Sequence, residues 1–306
     1  MTLISIIGSG RVGVEVAKHV ILRGLGDVVL VDIIEGLPQG EALDLGHMAS
    51  MLNIPVDIIG TNDYRDIEGS DIVVITAGSP RKPGMTREEL IKFNAKIVKS
   101  VSEAIKEYAS GSKVIVVTNP VEPMVYTAYK VTGFNRKRIL GFGALLDTAR
   151  YKYYIARRVK VSPSSINALV IGQHGEYMLP LPRLTYVHNV PLENILSKSE
   201  IEEIIRETVK AGARIIELKK WSASHAVGPG VAIMVESILK DERNVLPIAA
   251  ILDGEYGVND IPLEVPAVVG ANGIEKIVEL NLTAEELEKL RRSIECIKTL
   301  IQTIEF

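Results

Sequence analysis

Apolar positions along the chain fall into two kinds of run. Short continuous blocks rich in β-branched residues occupy positions 3–7, 28–31, 56–59, 71–78, 113–118 and 138–142. Between them, apolar residues recur at three- and four-residue steps. Val12, Val16, Ala17, Val20 and Ile21 form one such set. Ala42, Leu43, Leu45 and Met48 form a second, and Leu90, Ile91, Ile97, Val98 and Val101 a third. The continuous blocks suit strands buried on both faces. The wider spacing suits amphipathic helices. Strands and helices in alternation predict an α/β fold built on a doubly wound parallel sheet.

The second half has the same vocabulary in a less regular order. Helices are expected over 145–159, 199–219 and 231–239, and strands over 166–170, 245–253 and 261–270. A final helix carries Leu287, Leu290, Ile294, Ile297, Leu300 and Ile304 on one face. Thr86-x-x-Glu89, Ser199-x-x-Glu202 and Thr283-x-x-Glu286 read as capping boxes that open helices. Gly141 and Gly143 mark the change of pattern. The expectation is two domains, 1–142 and 143–306, the second an α+β unit.

One stretch carries specific chemistry. The first block runs into Gly8-Ser9-Gly10-Arg11-Val12-Gly13, a helix follows, and the second block ends in Asp32. Gly8 permits a tight turn out of the strand, Gly10 lets a pyrophosphate approach the backbone, and Gly13 lets helix and strand pack closely. The helix N-terminus then presents unpaired N–H groups to phosphate. Asp32 can accept hydrogen bonds from ribose hydroxyls, and its charge repels a 2′-phosphate. This is the dinucleotide fingerprint in its full strand–turn–helix–strand context. It predicts a Rossmann-type dinucleotide-binding domain in which Asp32 favours NAD over NADP; FAD-binding proteins share the same fingerprint, so the turn alone leaves FAD open. The end of the fourth strand falls beside the cofactor in such a sheet, which brings in Ala77 and Gly78; Asn119, at the tip of the fifth, can reach cofactor or substrate or be no more than an ordinary Asn-Pro turn.

Composition narrows the class. A formal net charge of −3 gives no electrostatic support for nucleic-acid or membrane partners. Cys296 is the only cysteine, so neither an internal disulfide nor a cysteine-built metal site is available. Nothing at the N-terminus reads as a signal peptide, and no apolar stretch is long enough to span a membrane. The expectation is a cytoplasmic enzyme without a metal.

Three further constellations follow. Residues 79–87 carry Arg81, Lys82 and Arg87 in a segment held by Pro80 and Pro83 with Gly78 and Gly84 as flexible points, which suggests a hinged, positively charged lid; a plain solvated loop has the same composition. Asp147 and Arg150 share a helix face and could be no more than an intrahelical ion pair. His174 sits between Gln173 and Gly175 directly after a strand, in the run Gly172-Gln173-His174-Gly175. His19, His47, His188 and His225 have no such setting.

Taken together, these residues resemble the NAD-dependent 2-hydroxyacid dehydrogenases of the lactate/malate dehydrogenase family, from the glycine turn to the last helix. The most specific pieces are Ala77-Gly78-x-x-Arg81-Lys82-Pro83-Gly84-Met85-x-Arg87, Thr118-Asn119-Pro120, Leu146-Asp147-x-x-Arg150 and Gly172-Gln173-His174-Gly175. The resemblance implies that His174 exchanges a proton with the C2 oxygen of substrate and that Asp147 orients its ring. It implies that Arg150 binds the C1 carboxylate, Arg87 polarises the carbonyl, and Asn119 contacts substrate. Gly8, Ser9, Gly10, Arg11, Val12, Gly13, Asp32, Ala77, Gly78, Asn94, Thr118 and Asn119 would surround NAD. Arg81 resembles the malate version of the loop, where it would meet the distal carboxylate of malate or oxaloacetate; the lactate version carries Gln there. Homodimers or homotetramers are the family expectation; the apolar helices near 43–52 and 201–216 could serve as interfaces, with packing into the core the default reading of both. Two positions depart from the family pattern. Glu176 replaces the usual Asp, and the substrate-wall segment reads Lys220-Trp221-Ser222-Ala223-Ser224-His225, in which Ser222, Ser224 or His225 could line the pocket. The runner-up within the same enzyme class is a lactate or other 2-hydroxyacid dehydrogenase, in which Arg81 would point to solvent, and the reading from a different class is a non-catalytic dinucleotide sensor on the same fold.

Overall fold

The computed structural model describes residues 2–80 and 84–304. The first half alternates as its pattern predicts: β1 (Leu3–Ile7), α1 (Arg11–Leu22), β2 (Asp27–Val31), α2 (Leu37–Met51), β3 (Ile58–Thr61), β4 (Ile72–Ile75), α3 (Arg87–Tyr108), β5 (Lys113–Val116), α4 (Val121–Thr132) and β6 (Ile139–Gly141). These six strands are parallel and lie in the order β3-β2-β1-β4-β5-β6. Neighbouring residues along each strand point to opposite faces. Ile4, Ile6, Val28, Leu30, Ile72 and Val74 therefore pack with α1 on one side. Ile7, Val29, Val31, Val73 and Ile75 pack with α3 and α4 on the other. Both faces are covered, which is why the strand sequences are continuously apolar.

The second half comprises α5 (Ala144–Val159), β7 (Ile166–Asn167), β8 (Val170–Gly172), β9 (Met178–Pro180), β10 (Tyr186–Val187), β11 (Val190–Pro191), α6 (Lys198–Lys219), α7 (Val227–Leu239), β12 (Asn244–Asp253), β13 (Asn259–Gly270), β14 (Gly273–Ile277) and α8 (Ala284–Ile301). The β12–β13 hairpin joins the edge of the parallel sheet through Ala249 opposite Gly141, and β8 and β9 continue it beyond β13. The sheet thus runs on past residue 142 with a change of direction. Bare glycine at 141 permits the junction, since a Cβ there would lie 2.6 Å from Ala249 Cβ and from Val125.

Two local expectations need correction. The single strand expected over 166–170 is two strands in different sheets: β7 pairs with β10 in a small three-stranded sheet, and β8 pairs with β13 in the large one. The capping box expected at Ser199 and Glu202 forms instead at Ser197 and Glu200. Both frames satisfy the motif. Only the earlier one puts an apolar residue before the cap, Leu196, together with Ile201 four positions into the helix. Both are buried in one cluster, as a hydrophobic staple requires. The boxes at Thr86 with Glu89 and Thr283 with Glu286 form as expected. Among the described residues, no helix is long and apolar enough to cross a membrane.

Candidate active site

The phosphate turn is built by three glycines with separate tasks. Gly8 has a φ of +105°, and a Cβ there would meet the Ala77 amide at 2.7 Å. A Cβ on Gly13 would fall 1.9 Å from the Gly8 carbonyl oxygen. Gly10 differs: its missing Cβ would meet no protein atom within 4 Å, so the protein's own packing does not require glycine there. Gly10 is also the N-cap of α1, which has neither a side-chain cap nor an acid in its first turn. The leading amides of α1 are therefore left to an incoming anion. Asp32, at the end of β2, accepts the Ser9 N–H at 2.8 Å and the Ile34 N–H at 3.0 Å, one on each carboxylate oxygen. Each oxygen keeps a lone pair for a further donor. Turn and acid are thus one hydrogen-bonded unit whose geometry fits a dinucleotide.

The tips of β4 and β5 are knitted beside it. The Thr76 hydroxyl donates to the Gly8 carbonyl at 2.8 Å, and the Thr118 hydroxyl to the Ala77 carbonyl at 2.7 Å. Buried Asn94, on α3, accepts the Ser79 N–H at 2.8 Å and donates to the Asn119 carbonyl at 2.7 Å. A Cβ on Gly78 would strike Thr118 at 2.5 Å. Thr118 and Asn94 thus use their polar groups to hold the Ala77–Ser79 and Asn119 backbones, whereas Asn119 itself lies exposed at its strand tip.

The second cluster joins α5 to the segment after β8. Asp147 is fully buried in the first turn of α5, where the helix N-terminus favours a negative charge. Its Oδ2 lies 2.7 Å from His174 Nδ1, and its Oδ1 accepts Arg150 Nη1–H at 3.0 Å. The intrahelical pair does form, and the same carboxylate also grips the ring. Burial alone would lower the His174 pKa. The charge and hydrogen bond of Asp147, joined by the charge of Glu122 and opposed by Arg150, carry it above the ordinary histidine value. Gly212 of α6 lies beside the guanidinium, where a Cβ would make only ordinary contact with Arg150 Nη1 at 3.5 Å.

Arg81 lies outside the described residues. Arg87 begins α3, and its side chain lies outside them too. In the 220–225 segment, His225 Nδ1 lies 3.1 Å from Glu15 on α1, so it turns to the cofactor helix rather than to His174. Ser224 is buried. Trp221 stacks on Arg11, with Cζ 3.9 Å from the ring centre. Sequence reasoning passed over two acids, Glu122 and Glu264. Each is fully buried, and Glu122 Oε1 accepts the His174 backbone N–H. Their signal was available: each is a lone charge inside an apolar run, Val121-Glu122-Pro123-Met124-Val125 and Leu263-Glu264-Val265. Among the described residues, no group of three His, Cys, Asp or Glu side chains is placed to hold a metal ion.

Comparison with known proteins agrees with this geometry. Residues 2–141 match the lactate/malate dehydrogenase NAD binding domain, and residues 144–305 the lactate/malate dehydrogenase alpha/beta C-terminal domain. A malate dehydrogenase of Pyrobaculum aerophilum is 48% identical over 303 residues, covering 99% of this chain and 98% of that protein. The structure of the malate dehydrogenase from Aeropyrum pernix superposes with a TM-score of 0.96 at 47% identity, covering 99% of this chain and 98% of that one. A lactate dehydrogenase from Cryptosporidium parvum, complexed with lactic acid and nicotinamide adenine dinucleotide, superposes with a TM-score of 0.95 at 39% identity, over 98% of this chain and 97% of that one.

Proposed function

The chain belongs to the lactate/malate dehydrogenase family, and we propose that it interconverts malate and oxaloacetate with NAD. The observation that carries this reading is the His174–Asp147–Arg150 cluster: an acid–base ring, its orienting carboxylate and a cation held together on a scaffold with a dinucleotide turn. The similarity to malate dehydrogenases over nearly the whole chain supplies the substrate class.

NAD, when bound, supplies the acceptor for the hydride that leaves C2 of malate. Gly8, Ser9, Gly10, Arg11, Val12, Gly13 and Asp32 would hold its phosphates and ribose, and Ala77, Gly78, Asn94, Thr118 and Asn119 would form the wall beyond. The chain's own residues do the rest. Asp147 ties up Nδ1, so Nε2 is the nitrogen that takes the hydroxyl proton as malate is oxidised and returns it to the carbonyl oxygen in reduction. Arg150 binds the C1 carboxylate and, on the other side, neutralises Asp147, so neither charge is stranded when the site closes. Arg87 polarises the C2 carbonyl, Asn119 contacts substrate, and Arg81 meets the distal carboxylate as a two-pronged donor. A lid over 79–87 keeps hydride transfer from water.

The deciding measurement follows NADH absorbance with oxaloacetate and then with pyruvate. Oxidation with oxaloacetate and little with pyruvate is expected. The reverse preference makes the chain a lactate-type enzyme, and no turnover with either removes both the malate and the lactate readings. We further place the enzyme in the cytoplasm as a homodimer or homotetramer. Leu43, Met51 and Leu52 of the α2 region and Ile216 and Leu218 of α6 are exposed large apolar residues that a second copy would cover. Sedimentation at a monomer mass would remove the oligomer from this reading.

A further inference from the structure

Two fully buried acids that the reading above leaves without a role lie against the His174 segment. Glu122 is the second residue of α4, and Glu264 sits in the middle of β13. Both reach the same place. The Glu122 carboxylate accepts the His174 backbone N–H through Oε1. The Glu264 carboxylate crowds the bare face of Gly143, where a Cβ would lie 2.1 Å from Glu264 Oε1 and 2.9 Å from His174 Cβ. Small residues make the room. Across β6, β12, β13 and β8 the row containing Glu264 reads Gly141, Ala249, Glu264, Gly172. A Cβ on Gly141 would run into Val121 and Val125, so this row faces α4, the helix that carries Glu122.

A pair of acids in such a place cannot both be charged without large cost, because desolvation and mutual repulsion act together. The charged groups facing His174 are Asp147 and Arg150 from α5, Glu122 from α4 and Glu264 from β13; Glu176, two residues on, is exposed. Arg150 already answers Asp147. Glu122 has three features that favour its charge: the His174 N–H, the imidazole beside it, and a place in the first turn of a helix. Glu264 has little beyond the nearby Ala144 amide, and neither of its oxygens makes a full hydrogen bond among the described residues. Burial, followed by the charge of Glu122, holds the Glu264 carboxyl well above the usual carboxylate range. Burial also raises Glu122, with the charge and N–H of His174 opposing it.

We propose that Glu122 is a positioning residue for His174. Its carboxylate anchors the His174 backbone and stabilises the imidazolium from the protein interior, while Glu264 beside it stays protonated. The two acids together thus place one negative charge behind the ring, that of Glu122, additional to Asp147. This rests on His174 being the proton carrier.

The test follows the His174 ring directly, by NMR titration of labelled histidine in the NADH-loaded enzyme, with His174→Asn to assign the signal. Glu122→Gln keeps an oxygen for the His174 N–H and removes the charge. It is expected to lower the ring's midpoint by about one pH unit, a tenfold change in proton affinity, and to move the pH profile of oxaloacetate reduction by the same amount with NADH affinity unchanged. Glu122→Ala also removes the anchor, and kcat should fall further than KM changes. Glu264→Gln mimics the neutral acid and should shift the midpoint less than Glu122→Gln does. Infrared spectra of the wild type at neutral pH should show a protonated-carboxyl stretch that Glu264→Gln removes; this reading stands even where a Glu122 variant does not fold. A ring midpoint unmoved in Glu122→Gln overturns the proposal, as does a carboxyl stretch that is absent at neutral pH or that disappears with Glu122→Gln instead. Turnover retained in His174→Asn would instead sink the assignment of the proton carrier, and the ring titration distinguishes the two failures.

Discussion

His174 Nδ1 and Asp147 Oδ2 lie 2.7 Å apart, and they come from different elements 27 residues distant in sequence. The carboxylate is fully buried and its other oxygen is held by Arg150. The ring therefore cannot turn over without breaking a charge-assisted bond, and Nε2 is the nitrogen that the proposed proton transfer would use.

A pH dependence follows with a definite sign. Asp147 and Glu122 outweigh the effect of burial and raise the His174 pKa, so the ring stays protonated to higher pH than a free histidine. In the proposed mechanism reduction of oxaloacetate uses the imidazolium and should decline as pH rises through that raised value. Oxidation of malate uses the neutral ring and should rise there. Asp147→Asn removes the main cause of the upward shift and should move both limbs to lower pH. His174→Asn should lower kcat by about 10²–10⁴-fold with NADH binding intact. Initial rates in both directions across pH, with NADH binding measured separately, provide the check. Limbs that stay in place in Asp147→Asn would show that the pair does not set the profile.

Asp32 predicts the cofactor preference. A 2′-phosphate placed where the ribose hydroxyls belong would bring like charges to about 4 Å, which costs about 1–4 kcal/mol depending on how much water screens them. Asp32→Ser should therefore raise kcat/KM with NADPH by about five- to several-hundred-fold while lowering it with NADH. The loss with NADH has a second source, since Asp32 also holds the Ser9 amide of the phosphate turn. Equal use of NADH and NADPH by the wild type would place Asp32 away from the ribose.

Trp221 offers a probe of the phosphate turn, because it is the only tryptophan in the chain and stacks on Arg11. Arg11 follows the N-cap of α1, beside the expected pyrophosphate. NAD binding should draw the guanidinium from the indole and change tryptophan emission. In Arg11→Ala the starting emission should already differ, and the response to NAD should be smaller. Emission indifferent to NAD in the wild type would mean that Arg11 keeps its partner when the cofactor arrives.

The parallel half of the fold was legible because buried strands and amphipathic helices leave different periodicities, and the glycine turn was legible because each glycine meets a separate steric demand. His174, Asp147 and Arg150 were readable as candidates only in combination, since each alone has an ordinary structural explanation. Short strands such as β10 and β11, two residues each, leave no periodic trace. The break between β7 and β8 was hidden because both lie in one apolar stretch and only their partners differ. The contacts of Trp221 and His225 with Arg11 and Glu15 are long-range, and nothing in their local sequence announces them. Glu122 and Glu264 were visible as acids in apolar surroundings, but periodicity treats such residues as exceptions to a pattern.

Glu264 also predicts a stability trend. Its folded pKa is raised, so the unfolded chain releases this proton at lower pH than the folded one. The cost of burying the group is therefore absent below the ordinary glutamate pKa. It grows as pH climbs toward the folded value. Glu264→Gln does not ionise and should gain stability relative to wild type as pH rises. Melting temperatures of the two proteins at pH near 4 and near 8 provide the comparison, and a difference that stays constant or shrinks toward alkaline pH would mean that Glu264 is ionised when folded.

In the proposed function Arg81 would carry the choice between a dicarboxylate and a monocarboxylate substrate, and it is distant in sequence from the His174, Asp147 and Arg150 cluster. Oxaloacetate and pyruvate differ by one terminal carboxylate. A guanidinium meeting that carboxylate under a closed lid forms two charge-assisted bonds in a dry environment. Removing one partner of such a pair costs about 2–5 kcal/mol, or about thirty- to several-thousand-fold in the specificity ratio. With pyruvate the same guanidinium would be buried without a partner, which opposes lid closure. Arg81→Gln should therefore lower kcat/KM for oxaloacetate and raise it for pyruvate, with NADH affinity unchanged. General damage to the fold would lower both, so the crossing is specific to this role. Should pyruvate gain nothing while oxaloacetate falls only slightly, Arg81 is a surface cation. Discrimination would then have to come from another wall of the pocket, with Ser222 and Ser224 the next side chains to substitute, because His225 is engaged by Glu15.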